Sequence, residues 1–133
     1  MKKVLFIFSL IGMGLVFMNF TSSSIKAANE TPVSKVEIPD NVQKILDNSC
    51  MGCHNSDSKN TKGKNKLNFD KLDALKTYKA IGKYTDIAEV VTEGDMPPKK
   101  FLNKYPERAL SDDDKAVLSG WASDQAKALS GGE

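Results

Sequence analysis

The sequence has few of the side chains on which most enzymes depend. Its 133 residues include one histidine, two cysteines and one tryptophan. If the only histidine binds a metal ion, no free histidine remains as a general base for hydrolysis or peroxide chemistry. No pair of acids and no nucleophile with an adjacent base stands out. Two cysteines are too few for a disulfide-rich scaffold, and no alternating apolar pattern is long enough to predict a sheet. These absences argue against an enzyme and against an all-β fold.

The chain also lacks the excess of positive charge that is typical of nucleic-acid binding. Its formal net charge is +2, from 19 basic and 17 acidic residues. Lys2, Lys3 and Lys26 are accompanied by no acid before Ala28, so the remainder of the chain has 16 basic residues against 17 acidic ones. Hydrophobic residues at 40% and charged residues at 27% lie in the globular range. We therefore expect one small globular domain that does not bind nucleic acid.

Long apolar runs are confined to the N-terminus. Two lysines precede an apolar run over residues 4–20, and a stretch of small, mostly polar residues follows it. This pattern is typical of an export signal that is cleaved near Ala27 or Ala28, with retention as a membrane anchor as the alternative. The sequence therefore predicts a signal peptide over residues 1–28 and an exported domain over residues 29–133.

Apolar periodicity predicts an all-α domain. The predicted helices carry apolar residues at i, i+3, i+4 spacing and are bounded as follows: one from Pro39 to Cys50, a short one capped by Asn68, one from near Tyr78 to Gly94, and one from Ser111 to about Leu129. Ser111 and Asp114 form a predicted capping box, and Trp121 lies on the inner stripe of the last helix. We expect the last helix to pack across the first. Residues 55–66 contain no apolar side chain and are predicted to form a solvated loop.

Both cysteines and the only histidine fall in one pentapeptide, Cys50-Met51-Gly52-Cys53-His54. The CxxCH arrangement is read as a site of covalent haem attachment. Two thiols at the end of a helical turn can reach the two vinyl groups on one edge of a porphyrin, and the adjacent imidazole can bond the iron. We predict one haem c, attached at Cys50 and Cys53, with His54 as an axial ligand. The alternatives are a Cys50–Cys53 disulfide, a thioredoxin-like redox pair or a zinc site.

The second axial ligand is identified by elimination. Once the predicted signal is removed, the only thioethers are Met51 and Met96, and Met51 lies inside the attachment motif. Met96 stands between a predicted helix end and two prolines, which favour a rigid, extended loop. We predict Met96 as the second iron ligand. An open position, or ligation by Lys99 or Lys100, is the alternative.

The segment from His54 to Leu129 resembles the haem-binding domain family of small exported monohaem c-type cytochromes. The motifs that carry the resemblance are CxxCH, Leu67-Asn68-Phe69, Gly94-Asp95-Met96-Pro97-Pro98, and Leu110-Ser111-Asp112-Asp113-Asp114-Lys115 with Trp121. The resemblance implies a cytochrome-c-like helical fold, covalent haem c, and axial ligation by His54 and Met96. Members of the family often have a Trp- and Pro-rich stretch after the attachment histidine, whereas this chain has a shorter loop rich in lysine and asparagine.

These features predict an electron carrier and not an enzyme. One iron would cycle between Fe(II) and Fe(III) in exchange with redox protein partners, in the periplasm or at the outer face of the cytoplasmic membrane. We expect a monomer that contacts the membrane only if the N-terminal segment is retained. The alternative is a haem-based sensor or a small peroxidase with an open or displaceable sixth iron site.

Two charged segments also allow a functional and a structural interpretation. The four lysines within residues 59–66 would steer an acidic redox partner, or they would only solvate a loop, and the second interpretation is favoured. Residues 112–114 are three consecutive aspartates, which suit a cation site or the positive end of a helix. The helix accounts for them without a cation.

Overall fold

The computed structural model describes residues 36–131, and the regular elements in this range are helical. They are, in chain order, α1 (Asp40–Ser49), α2 (Thr61–Lys66), a 3₁₀ helix (Phe69–Ala74), α3 (Thr77–Thr92), α4 (Lys99–Leu102), a second 3₁₀ helix (Pro106–Arg108) and α5 (Asp112–Leu129). The prediction of an all-α fold is confirmed. The predicted signal peptide lies outside the described residues. Within residues 36–131, no helix has the length and apolar character needed to cross a membrane.

The first helix forms where its sequence predicts it. Pro39 is the N-cap, and Asp40 places a carboxylate at the positive end of the helix. Val42 and Leu46 are buried one turn apart, and α1 ends at the residue before Cys50. A helix of 10 residues is marginal in isolation, so packing of this apolar stripe stabilises α1 and fixes the position of Cys50.

The core is built mainly by α3 and α5. Their buried side chains are Ala80, Tyr84, Ile87 and Val91 from α3 and Leu118, Trp121 and Ala122 from α5. The Tyr84 and Trp121 rings meet edge to face, with centroids 5.5 Å apart. We expected α5 to pack across α1. The two helices do touch, but the main partner of α5 is α3, because these are the two longest helices and carry the longest apolar stripes.

The ends of α3 and α5 follow from local chemistry. The Ser111 hydroxyl accepts a hydrogen bond from the Asp114 N–H at 3.1 Å, and the Asp114 carboxylate accepts one from the Ser111 N–H at 3.1 Å. The predicted capping box is thus confirmed. Gly94 follows α3 with φ at +75°, a conformation that favours glycine and that ends the helix.

The prediction of a solvated loop over residues 55–66 is wrong in its second half, where α2 forms. The Asn60 side chain caps this helix by accepting a hydrogen bond from the Gly63 N–H at 2.9 Å. No residue of α2 is buried. The helix therefore leaves no apolar stripe in the sequence, which is why periodicity did not reveal it.

Candidate functional site

Three of the predicted site residues, Cys50, His54 and Met96, line one cavity of about 190 Å³. Its other apolar walls are Leu67, Phe69, Ile87, Val90, Val91 and Leu118. A smaller adjacent cavity of about 40 Å³ shares Cys50, His54 and Met96 with the first and is also lined by Cys53. The structure therefore brings the four residues together around one largely apolar space, although they come from segments more than forty residues apart.

The attachment motif forms a compact turn at the end of α1. The Cys50 N–H donates to the Leu46 carbonyl at 2.8 Å and so continues the helix. The Cys50 carbonyl in turn accepts from the Cys53 N–H at 3.0 Å and from the His54 N–H at 3.1 Å. These bonds hold both thiols and the imidazole on the same turn, as the roles predicted from the sequence require.

Both cysteines are free thiols, and the burial of Cys50 disfavours its thiolate form. Burial, with a smaller contribution from the charge of Cys53, raises the pKa of Cys50 to about 11. Thioredoxin-like pairs depend on a cysteine whose pKa is lowered, because the thiolate is the attacking species. A neutral, apolar Cys50 therefore argues against the redox-pair alternative. Within residues 36–131 no cluster of three or more histidine, cysteine or acidic side chains fits a metal ion, so nothing there supports the zinc alternative.

The His54 ring is oriented by the segment that begins at Leu67. Its Nδ1 atom lies 3.0 Å from the Leu67 carbonyl oxygen. Because a carbonyl only accepts, Nδ1 carries the proton, and Nε2 of the neutral ring keeps its lone pair for a metal. The His54 carbonyl accepts from the Phe69 N–H at 3.0 Å, and the Phe69 ring meets the imidazole edge on at 6.4 Å. This segment therefore fixes both the backbone and the ring of His54.

Polar side chains tie the Leu67 segment to the turn after His54, a role that the sequence did not reveal. The Ser56 N–H donates to the Asp70 carboxylate at 2.7 Å, and the Asn68 amide donates to the Ser56 hydroxyl at 3.2 Å. Asn68 also accepts from the Asp70 N–H at 3.1 Å, which confirms its predicted capping role. The only hint in the sequence is the density of short polar residues, which form such local bonds readily.

Met96 lies on the non-helical turn that was predicted for it. Its N–H donates to the Val90 carbonyl at 3.2 Å, so the chain folds back onto the last turn of α3 after Gly94. The side chain is half-buried and lines both cavities. Lys99 and Lys100, the alternative ligands, line neither cavity. The geometry therefore favours Met96 over both lysines.

Gly63 is the point at which α2 approaches the attachment turn. A Cβ atom at this position would lie 2.9 Å from the Cys53 carbonyl oxygen and 3.2 Å from the Cys53 Cβ. We expect Gly63→Ala to push the turn away from α2 and to lower the free energy of unfolding by about 1–3 kcal/mol, as overpacking does. Denaturant titration measures this change.

Gly82→Ala is the matched control for that substitution. Gly82 is an exposed residue inside α3, and an added Cβ would meet nothing within 4 Å. Alanine should stabilise an exposed helical position by up to about 1 kcal/mol relative to glycine. Equal stabilisation by the two substitutions would contradict the close approach of α2 to Cys53.

Comparison with known proteins identifies the part of the chain around this site. Residues 57–124 match the family model described as a haem-binding domain. The match covers just over half of the chain, begins three residues after His54 and includes Met96. A search of curated proteins and a search of solved structures return no match.

Proposed function

The chain belongs to the haem-binding domain family, and from this membership and the site geometry we propose that it is a monohaem c-type cytochrome that carries single electrons. Family membership accounts for haem binding. Covalent attachment, axial ligation and electron transfer rest on one further observation, the convergence of the predicted residues on one apolar space. The residues concerned are Cys50, Cys53, His54 and Met96.

The residues around the two cavities suit a haem. Aliphatic and aromatic side chains form most of the walls, as a flat, apolar macrocycle requires. An imidazole and a thioether are both established ligands of haem iron, and here they enter from separate segments, His54 after α1 and Met96 after α3. Cys50 and Cys53 flank the same space as thiols, the form in which they would react.

Each residue would then have a distinct role. Cys50 and Cys53 would each add an S–H group across one vinyl group, so that a carbon–sulfur bond forms, the hydrogen moves to the other vinyl carbon and no atom leaves. The Nε2 atom of His54, held in orientation by the Leu67 carbonyl, would be one protein ligand of the iron. The Met96 sulfur would be the second.

Bound haem supplies a one-electron couple between Fe(III) and Fe(II). The residues of this chain would adjust that couple. The Met96 thioether favours the reduced state, and the hydrogen bond from His54 Nδ1 to the Leu67 carbonyl raises the basicity of the imidazole. Because Met96 would fill the position that oxygen or peroxide requires, the arrangement supports a carrier over a sensor or a peroxidase.

Carbon monoxide distinguishes these functions in the haem-loaded wild-type protein. We expect the reduced protein at neutral pH to bind no carbon monoxide, since both axial positions are filled. The same sample in denaturant, where the Met96 turn is released, is the positive control and should bind the gas. Rapid stoichiometric binding by the folded protein would contradict the carrier and favour the sensor or peroxidase.

We also propose that the protein works outside the cytoplasm as a monomer and exchanges electrons with other redox proteins. The signal-like segment over residues 1–28 supports export. Cell fractionation followed by detection of covalent haem tests the location, and covalent haem confined to the cytoplasmic fraction would contradict it.

A further inference from the structure

The apolar cavity borders a concave surface that carries positive charge. This surface encloses about 370 Å³, and no aspartate or glutamate of the described chain lines it. Its charged residues are Lys64, Lys66, Lys71 and Lys83. Lys66 and Lys83 also line the apolar cavity, together with Leu67. These two lysines therefore mark the boundary between an apolar space and a cationic one.

Two residues of the attachment turn, Cys50 and His54, line both cavities. Cys53 lines only the smaller cavity, in the company of Pro97 and Phe101. Lys66 and Lys83 line the larger cavity and are absent from the smaller one. Asp86 also lines the larger cavity, so the combined space has an apolar end at Cys53 and a net cationic end, where Lys66 and Lys83 outnumber the single carboxylate of Asp86.

A haem has the same polarity. Its vinyl groups lie on one side of the macrocycle, and its two carboxylates project from the opposite side. Attachment at Cys50 and Cys53 would place the vinyl side at the apolar end, so the carboxylates would point towards the cationic end. We infer that Lys66 and Lys83 bind the two haem carboxylates, an inference that rests on the proposed function. Ammonium groups form strong, charge-assisted hydrogen bonds with carboxylates.

The neighbours of the two lysines support this assignment. Lys83 Nζ lies 3.6 Å from the Asp86 carboxylate, and both side chains are partly exposed, at 32% and 56%. An exposed pair of this kind is weak, so Lys83 remains able to bind a second carboxylate. Lys66 directly precedes Leu67, whose carbonyl orients His54. The segment that fixes the axial imidazole therefore also positions Lys66.

Loss of either positive charge should lower the reduction potential, because cations near the iron disfavour the more positive ferric state. We expect Lys66→Gln and Lys83→Gln each to change the Fe(III)/Fe(II) ratio at a fixed potential by threefold to tenfold, where tenfold corresponds to 59 mV. Lys66→Arg and Lys83→Arg keep the charge and should restore the wild-type potential. Spectroelectrochemistry of the haem-loaded proteins measures these shifts.

Two lysines in the same helices provide matched controls. Lys62 and Lys79 lie four residues before Lys66 and Lys83, in α2 and α3 respectively, and neither lines any of these cavities. Their glutamine variants should change the ratio by less than twofold. The resonance Raman band of carboxylate bending provides a second readout, which should shift in the Lys66 and Lys83 variants and stay in place in the controls.

The outcomes separate this inference from the proposed function. A wild-type protein without haem would contradict the proposed function itself. A wild-type protein with covalent haem, together with Lys66 or Lys83 variants that match their controls in potential and Raman band, would overturn only the assignment of the carboxylate-binding lysines. Circular dichroism of each variant verifies that the helices are retained.

Discussion

Met96→Ala is expected to convert a protein that excludes carbon monoxide into one that binds it stoichiometrically when reduced. Within residues 36–131, Met96 is the only thioether that lines either cavity of the candidate site. Its removal should abolish the iron–thioether absorption band and lower the reduction potential, because a thioether opposite imidazole stabilises Fe(II). We expect a change of about a hundredfold in the Fe(III)/Fe(II) ratio, or about 120 mV for a one-electron couple.

Met51→Ala is the matched control for this experiment. Met51 packs against the core from within the attachment motif and lines neither cavity. Its substitution should lower stability and leave the iron–thioether band, the potential and the exclusion of carbon monoxide unchanged. If Met96→Ala keeps the band, or if Met51→Ala loses it, the ligand assignment is wrong.

The double substitution Cys50→Ser, Cys53→Ser is expected to abolish covalent haem. A serine hydroxyl does not add across a vinyl group as a thiol does, so acidified organic solvent should extract all haem from the variant and none from the wild type. Stability should also fall, because the described core contains only ten buried apolar residues and a tightly bound group stabilises the folded state. A loss of about 3 kcal/mol corresponds to a fall in Tm of roughly 12–24 °C.

The single variants provide internal controls. Cys50→Ser and Cys53→Ser each leave one thioether and one unreacted vinyl group, so each should retain covalent haem. The absorption band of the Fe(II) form should lie at a wavelength between that of the wild type and that of free haem. Intact mass gives an independent measurement. The wild-type chain should carry the mass of one haem, and a chain lighter by two hydrogen atoms would indicate the disulfide alternative instead.

The parts of the fold that the sequence predicted well are those with long apolar stripes and strong caps. Tyr84 and Trp121 lie on such stripes, and both are buried. The Ser111 capping box and the end of α3 at Gly94 depend on neighbouring residues alone, so both can be predicted without the tertiary structure. The pairing of α5 mainly with α3 was not predicted, because a stripe shows which face is buried and not which helix covers it.

The parts that were missed depend on contacts between distant residues or on very short elements. The six residues of α2 bury no side chain, and the helix approaches the site closely at Gly63, next to Cys53. The four residues of α4 are too few to show a period. Lys66 and Lys83 are separated by a 3₁₀ helix and part of α3, so their common position at one cavity is visible only in the structure.

The candidate site also has features that the sequence predicted and features that only the structure shows. The CxxCH motif places its reactive groups within five consecutive residues, and Met96 was predicted because only two methionines follow the predicted signal peptide. The hydrogen bond from His54 to the Leu67 carbonyl could not be read from the sequence, because backbone carbonyls have no residue-specific signature. Sequence therefore predicted which atoms would bind the iron, and the structure adds what holds them in place.

The most direct test of the proposed function is the absorption spectrum of the purified protein in its oxidised and reduced forms. We predict a sharp reduced c-type spectrum and, in the oxidised protein, the weak near-infrared band of an iron–thioether bond, assigned to Met96. Haem without this band would contradict the closed His54/Met96 site and favour a sensor or peroxidase. No haem at all would leave Cys50 and Cys53 as a disulfide or free thiols and would contradict the central claim.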